Sequence, residues 1–425
     1  MRHLPALLFL CLAPLSAQTV PEANYDESKV GSYTLPDPLT LASGKPVADA
    51  ADWNRLRRPE ILRLFEDQVF GRTVAPAGKP LFEVTEAAGK ALDGKATRRQ
   101  VTIWLTGRKP GPKLDLILYL PASAASPVPV FVGLGFRPNA SVSSDPAVPL
   151  ASDWTRDPND KTSYVKAPSP ESVRGSAAAR WQLDKIIAAG FGLAHANYQD
   201  IEPDFAGALK DSVRQAYLRP GQTQPAANEW GAIGAWSWGL SRIVDYLATD
   251  KSVDSSKLAL IGHSRLGKTA LWAGAQDTRF AIVISNDSGE GGAALARRNY
   301  GETLFRINTA FPHWFCANYK AYNQAVDKLP VDAHMLIALI APRPVYVASA
   351  EEDKWADPRG EFLSAVSAGR VYSLLGKKGL GTDQMPPIHQ PIMNTIGYHI
   401  RAGKHDVTAY DWDQYIKFAR MHFSR

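Results

Sequence analysis

The stretch Lys257-Leu-Ala-Leu-Ile-Gly-His-Ser-Arg-Leu-Gly-Lys268 decides how this chain is read. Its apolar run, Leu258 to Ile261, suits a strand buried on both faces and leads straight into Gly262-His263-Ser264. A helical pattern starts at once, Leu266 to Ala275, and another apolar strand run follows from Phe280 to Ser285. A sharp strand-to-helix turn holds a serine hydroxyl out of the sheet, with the helix N-terminus behind it. The first N–H groups of that helix favour negative charge on a nearby oxygen. The match to G-x-S-x-G is imperfect, because Leu266 stands at the second glycine position and Gly267 comes one place later. Strand–Gly–x–Ser–helix also occurs as an ordinary helix cap. On the turn alone, nucleophile and cap are equally good readings of Ser264.

The flanks supply the fold. Trp53 to Phe70 carries apolar residues at helical spacing (Leu56, Ile61, Leu64, Phe65, Val69) and predicts a helix ending near Gly71. Strands are predicted over Arg99–Leu105, Leu114–Leu120, Val128–Leu134, Gly192–Tyr198 and Pro344–Ser349, and helices over Trp181–Ala189, Trp230–Thr249 and Asp411–His422. Strands alternating with helices imply a mainly parallel central sheet flanked by helices in three layers, and together with the Ser264 turn an α/β-hydrolase fold is expected. Gly135 to Arg180 and Asp200 to Asn228 show no regular pattern and are expected to cover the ligand-binding end of the sheet.

The chain has 425 residues, 45% hydrophobic and 21% charged, with a formal net charge of +6. The charges are scattered, and the densest basic cluster is Arg55, Arg57 and Arg58 beside Glu60. A nucleic-acid binder would concentrate Lys and Arg on one face, so no nucleic-acid partner is expected. Arg2 and His3, the apolar run Leu4 to Leu15 and Ser16-Ala17-Gln18 have the layout of a signal peptide over residues 1–17. The mature chain is then expected to be secreted or periplasmic. The run is too short to span a membrane, and bulky Leu10 argues against a lipid anchor at Cys11. Removal of the signal leaves Cys316 alone, with no intramolecular disulfide. Residues 18–425 are expected to form a single catalytic domain with an N-terminal extension and loop insertions, as a monomer without a membrane partner. Gly133-Leu-Gly135 lacks the spacing of a cofactor loop, and no metal-ligand or phosphate motif is visible, so no cofactor is expected.

Gly262-His-Ser-Arg-Leu-Gly-Lys268, followed by Ser285-Asn-Asp-Ser-Gly-Glu-Gly-Gly292, resembles the glucuronoyl esterases of carbohydrate esterase family 15. The resemblance extends through Asn299–Glu302, Phe311–Phe315, Ala350–Pro358 and Gly403–Asp406, and Arg57–Leu62 and Asp200–Asp204 look familial too. It implies a serine esterase acting on esters of glucuronic acid, as in glucuronoxylan or lignin–carbohydrate linkages.

A serine nucleophile needs a base within hydrogen-bond reach, and α/β-hydrolases present serine, acid and histidine in that order. His405 sits in the loop before the last helix, where such folds place the base, and the resemblance selects it as well. His334 and His422 read as packing or surface residues, and His313 as a pocket residue in an aromatic loop. Two acids compete. Asp287 follows the strand after the nucleophile helix, where the family usually carries the longer Glu. Asp353 follows the Pro344–Ser349 strand, the more usual place in the wider fold, and is preferred, with Asp287 in support. Glu352 and Asp357 read as solvated loop charges. The resemblance implies that Arg265 supplies a guanidinium to the oxyanion, that Lys268 and Glu302 bind sugar hydroxyls, and that Trp355 edges the pocket. The Trp355 ring is expected to be half-exposed or exposed. Two other readings stay open: a different carbohydrate esterase such as an acetylxylan esterase, and a non-catalytic sugar binder, against which Ser264, Arg265 and His405 argue.

Overall fold

Side chains alternate across a strand, so a strand covered on both faces must be apolar at every position. Leu258 and Leu260 enter one core while Ala259 and Ile261 enter the other, and Val345 and Val347 part in the same way from Tyr346 and Ala348. The computed structural model describes residues 20–76, 78–125 and 127–424. The proposed signal segment and Cys11 lie outside the described residues.

The strands are β1 (Leu81–Ala91), β2 (Ala96–Trp104), β3 (Lys113–Pro121), β4 (Val128–Gly135), β5 (Ser152–Arg156), β6 (Tyr164–Pro168), β7 (Gly192–Asn197), β8 (Val253–His263), β9 (Phe280–Asn286), β10 (Val345–Ala350), β11 (Ile392–Met393) and β12 (Ile396–Arg401). Ten form one sheet in the order β1-β2-β3-β7-β4-β8-β9-β10-β12-β11. The run from β7 to β12 is parallel, with antiparallel strands at both edges. Helices Ala232–Leu247, Arg265–Gln276 and Pro358–Leu374 cover one face, burying Trp236, Trp272 and Phe362. Ala178–Trp181, Leu183–Ala188 and Ala409–Phe423 cover the other, with Trp181 and Trp412. Trp272 is fully buried and stacks on Phe70 at 4.7 Å, so its loss would cost about 3–5 kcal/mol. Among the described residues no helix is long and apolar enough to cross a membrane.

The structure adds strands β1, β11 and β12, where none was predicted, and departs from the sequence reading in four further places. The helix predicted from Trp53 begins at Ala50, capped by Asp49, and passes through a wide turn at Trp53–Arg57 before Arg58–Gln68. Trp181–Ala189 is two helical pieces, because Gln182 adopts φ 48°. The supposedly irregular segment before Arg180 contains the β5–β6 hairpin, whose Trp154 and Tyr164 pack on Phe205. Asp357 is no solvated loop charge: it is 2% exposed, pairs with Arg298 and caps the helix Pro358–Leu374 through the Gly360 N–H. The basic cluster also has a structural task, since Arg57 holds the N-terminal arm by donating to the Asp37 and Pro38 carbonyls.

Candidate active site

Register brings the site together. His263 of β8 pairs with Asn286 of β9, Asn286 with Ala348 of β10, and Ala348 with His399 of β12. The residues just past this row, Ser264, Asp287, Asp353 and His405, therefore emerge at one end of the parallel strands. That end is where ligands bind in such sheets.

Ser264 has φ 59° and ψ −129°, a strained conformation for a residue with a Cβ. The turn is held by the Ser264 N–H donating to the Asn286 carbonyl at 2.9 Å and by Gly267 N–H returning to the Ser264 carbonyl at 2.8 Å. Gly262 has a steric reason, because a Cβ there would lie 1.8 Å from the Leu266 carbonyl oxygen. The glycine one place late in the motif has a different one. A Cβ on Gly267 would press on Ser288 Cβ at 2.9 Å, so Gly267 lets the helix Arg265–Gln276 approach the loop after β9.

His405 presents Nδ1 to Asp353 Oδ2 at 2.5 Å, and its ring lies 4.4 Å from that of His263, the residue before Ser264. The loops carrying the pair are joined: Glu351 N–H donates to the Arg401 carbonyl and Glu352 N–H to the Gly403 carbonyl. Arg401 braces the histidine loop from below, donating to the carbonyls of Ala402, Lys404 and Asp406 while its Nε meets Asp411 at 2.9 Å. His263 is buried and hydrogen-bonded to Asn286 at 2.6 Å; burial, then the neighbouring His405, push its pKa well down.

Asp287 approaches the same place differently. It is 1% exposed, has φ 44°, meets Arg401 at 3.5 Å, and leaves Oδ1 with no hydrogen-bond partner. Burial, then the charges of Glu361 and Asp353, hold its carboxyl well above the usual range. Donor atoms of Asp287, Asp353 and His405 lie within 4.8 Å of one another, the one grouping among the described residues close enough to hold a metal ion.

Arg265 opens the helix Arg265–Gln276, with its guanidinium 4.7 Å from the Trp314 ring and 5.5 and 5.7 Å from those of Phe311 and Phe136. It pairs with Asp204, a residue sequence reasoning did not single out except within the familial run Asp200–Asp204. Asp204 also receives the Tyr198 hydroxyl at 2.8 Å and the Trp314 indole N–H at 2.7 Å, and lies 2.9 Å from His313 Nε2. Burial would raise its pKa, but His313, Arg265 and Trp314 together pull it well below the usual range. His334 donates from Nε2 to the Pro36 carbonyl, and His422 donates from Nε2 to the Asn394 carbonyl, both away from this end.

On the other flank Lys268 donates to the Ser288 carbonyl at 2.6 Å and stands 3.8 Å from Glu302, both nearly buried. Burial pushes the Lys268 pKa down and the Glu302 pKa up, and each partner's charge opposes the shift. Glu302 N–H donates to the Trp355 carbonyl, and the Trp355 ring is 40% exposed.

This architecture has known counterparts. The fungal glucuronyl esterase family matches residues 224–376. A carbohydrate esterase, MZ0003, from an unknown prokaryotic organism is 50% identical over 94% of this chain and 92% of its own. The solved glucuronoyl esterase from Solibacter usitatus is 55% identical, with a TM-score of 0.89 over 93% of this chain and all of that one. A promiscuous family 15 esterase from a marine bacterial metagenome is 49% identical, with a TM-score of 0.86 over 94% of this chain and all of that one. The chain belongs to carbohydrate esterase family 15, the glucuronoyl esterases, and is a carboxylic ester hydrolase.

Proposed function

We propose that the chain, as an exported enzyme, hydrolyses esters of 4-O-methyl-glucuronic acid such as those joining glucuronoxylan to lignin, through an acyl-enzyme on Ser264. The observation that carries this reading is the His405–Asp353 hydrogen bond of 2.5 Å beside the strained Ser264 turn. The substrate class is supported by relatives described as 4-O-methyl-glucuronoyl methylesterases, 27% identical over most of this chain.

Ser264 Oγ attacks the ester carbonyl while His405 Nε2 takes its proton, and Asp353 holds the Nδ1–H tautomer and steadies the imidazolium. The oxyanion meets the Arg265 guanidinium and the N–H groups opening the helix, a contribution of about 2.7–4 kcal/mol per donor. Asp204 acts through Arg265 as a positioning residue. The intermediate collapses, the C–O bond to the alcohol breaks, and the leaving oxygen takes the proton back from His405. Water, deprotonated by the same histidine, then releases glucuronate from Ser264. Lys268 and Glu302 hold sugar hydroxyls, and Trp355 offers a flat face to sugar C–H groups.

The test is Ser264→Ala on methyl 4-O-methyl-glucuronate. Turnover should vanish with the circular dichroism unchanged, and near-normal turnover overturns the reading. A second reading, a broader carbohydrate esterase, is favoured by the relative described as promiscuous; faster hydrolysis of acetylated xylan than of the glucuronate ester would select it.

A further inference from the structure

We propose that Asp204 is a specificity-determining residue, which cancels the charge of Arg265 so that the site takes the neutral ester and gives up the glucuronate anion that hydrolysis leaves. The proposal rests on the reading of Arg265 as the guanidinium that meets the oxyanion. An ester and its acid product carry the same sugar hydroxyls and differ at the reacting carboxyl. The ester is neutral there, and the product is an anion. A guanidinium with no countercharge would grip that anion bidentately and hold it more tightly than the substrate.

The geometry sets the countercharge behind the cation. The Arg265 side chain is 28% exposed, whereas the Asp204 side chain that pairs with it is 4% exposed. A ligand can thus reach the guanidinium and not the carboxylate. Burial opposes the ionisation of Asp204, but hydrogen bonds from His313 and Trp314 and the charge of Arg265 hold its pKa well below the usual range. The Tyr198 hydroxyl adds another donor at 2.8 Å. Around the guanidinium, the rings of Trp314, Phe311 and Phe136 exclude water, which strengthens the pairing. Lys268, the other cation assigned to the ester, is matched in the same way, 3.8 Å from a nearly buried Glu302.

Cancelling the charge does not cost the oxyanion its donor. Arg265 Nε is without a hydrogen-bond partner, so the guanidinium keeps donor capacity while its charge is balanced. The oxyanion is tied to Ser264 and needs donors fixed in direction, which the pairing with Asp204 supplies. The product carboxylate is no longer tied to Ser264 and can shift to meet a guanidinium wherever it lies. Removing the countercharge therefore helps the product and harms the transition state. Asp204 does this through Arg265, without touching the substrate. A polymer that carries unesterified glucuronate then does not occupy the enzyme.

The test measures the binding of glucuronate and of its neutral isostere, glucuronamide, by calorimetry at about pH 8, where an imidazole of ordinary pKa is neutral. The parent should hold the anion no more tightly than the amide. In Asp204→Asn, glucuronate should tighten by about tenfold while glucuronamide keeps its constant. A merely structural role for Asp204 would move both ligands together. A parent that prefers the anion, or a variant that shifts both ligands equally or neither, overturns the proposal. Should Asp204→Asn fail to fold, the comparison in the parent decides alone. If neither compound binds the parent, the sugar site and the proposal fall together. Turnover is read separately: a parent that hydrolyses no glucuronate ester sinks the proposed function, while the two binding constants still decide the role of Asp204.

Discussion

Strands β9 and β10 are parallel neighbours in register, and each sends an acid toward His405, yet the two acids end in opposite circumstances. Asp287 is the first residue past β9, and Asp353 is the third past β10. Both are buried. Asp353 turns back on its own strand end, its N–H donating to the Ala350 carbonyl, and its carboxylate reaches His405 Nδ1. Asp287 has no such turn, is bound by its N–H to the Ala348 carbonyl, and one oxygen stays unpaired. Two residues of extra chain separate an acid hydrogen-bonded to a histidine from one that burial biases toward its protonated form.

The largest test of that contrast replaces each acid. Asp353→Asn should lower kcat on the methyl glucuronate ester by on the order of 10³–10⁴, since the wrong tautomer of His405 is then favoured. Asp287→Asn should cost less than about tenfold, because asparagine resembles the protonated form that burial favours. Comparable losses would mean that the acids share the histidine.

The next contrast lies between the proposed oxyanion and sugar halves. Asp204→Asn keeps the shape but removes the countercharge of Arg265, so kcat should fall by about 1–3 kcal/mol of barrier with KM almost unchanged. Lys268→Ala and Glu302→Ala should instead depress glucuronate hydrolysis far more than that of p-nitrophenyl acetate, which has no sugar to position. Steady-state kinetics on both esters separate the two. A KM effect from Asp204→Asn would place it in the sugar half.

The parts of the fold with regular apolar patterns were legible in the sequence: β4, β8, β9, β10 and the helices beside them obey the two-faced burial rule. Strand β12 was not, because its buried His399 and Arg401 look polar until Asp411 is seen to satisfy both. Strand β1 was missed as well, its face being largely exposed and its pairing interrupted by register shifts. Within the site, the turn and the histidine loop carry local patterns. Asp204 carries none, since its partners Tyr198, Arg265, His313 and Trp314 meet only in three dimensions. Asp357 misled for the related reason that its partner, Arg298, lies 59 positions away.

The smallest expected effect concerns a third carboxyl behind the pair. Glu361 is buried, accepts from the N–H groups of Ser288 and Gly289 and from the Ser349 hydroxyl, and burial pushes its pKa up to about 8. Burial raises Glu290 to about 8 in the same way. Between the ordinary glutamate value of 4.5 and about 8 the folded chain holds protons that the unfolded chain has released. Stability from these groups is therefore complete below that window and is lost as pH rises through it. Glu361→Gln imitates the protonated acid, since its carbonyl can accept from the two N–H groups while its amide faces Ser349. Thermal melts between pH 5 and 8 should show a shallower decline in Tm for this variant than for the parent, with similar Tm at pH 5. An unchanged slope would mean that Glu361 is ionised in the fold. Its charge would then add to those that raise the Asp287 pKa. A shallower slope instead places a neutral Glu361 behind the Asp353–His405 pair, and leaves burial and the charge of Asp353 as the causes that raise the Asp287 pKa.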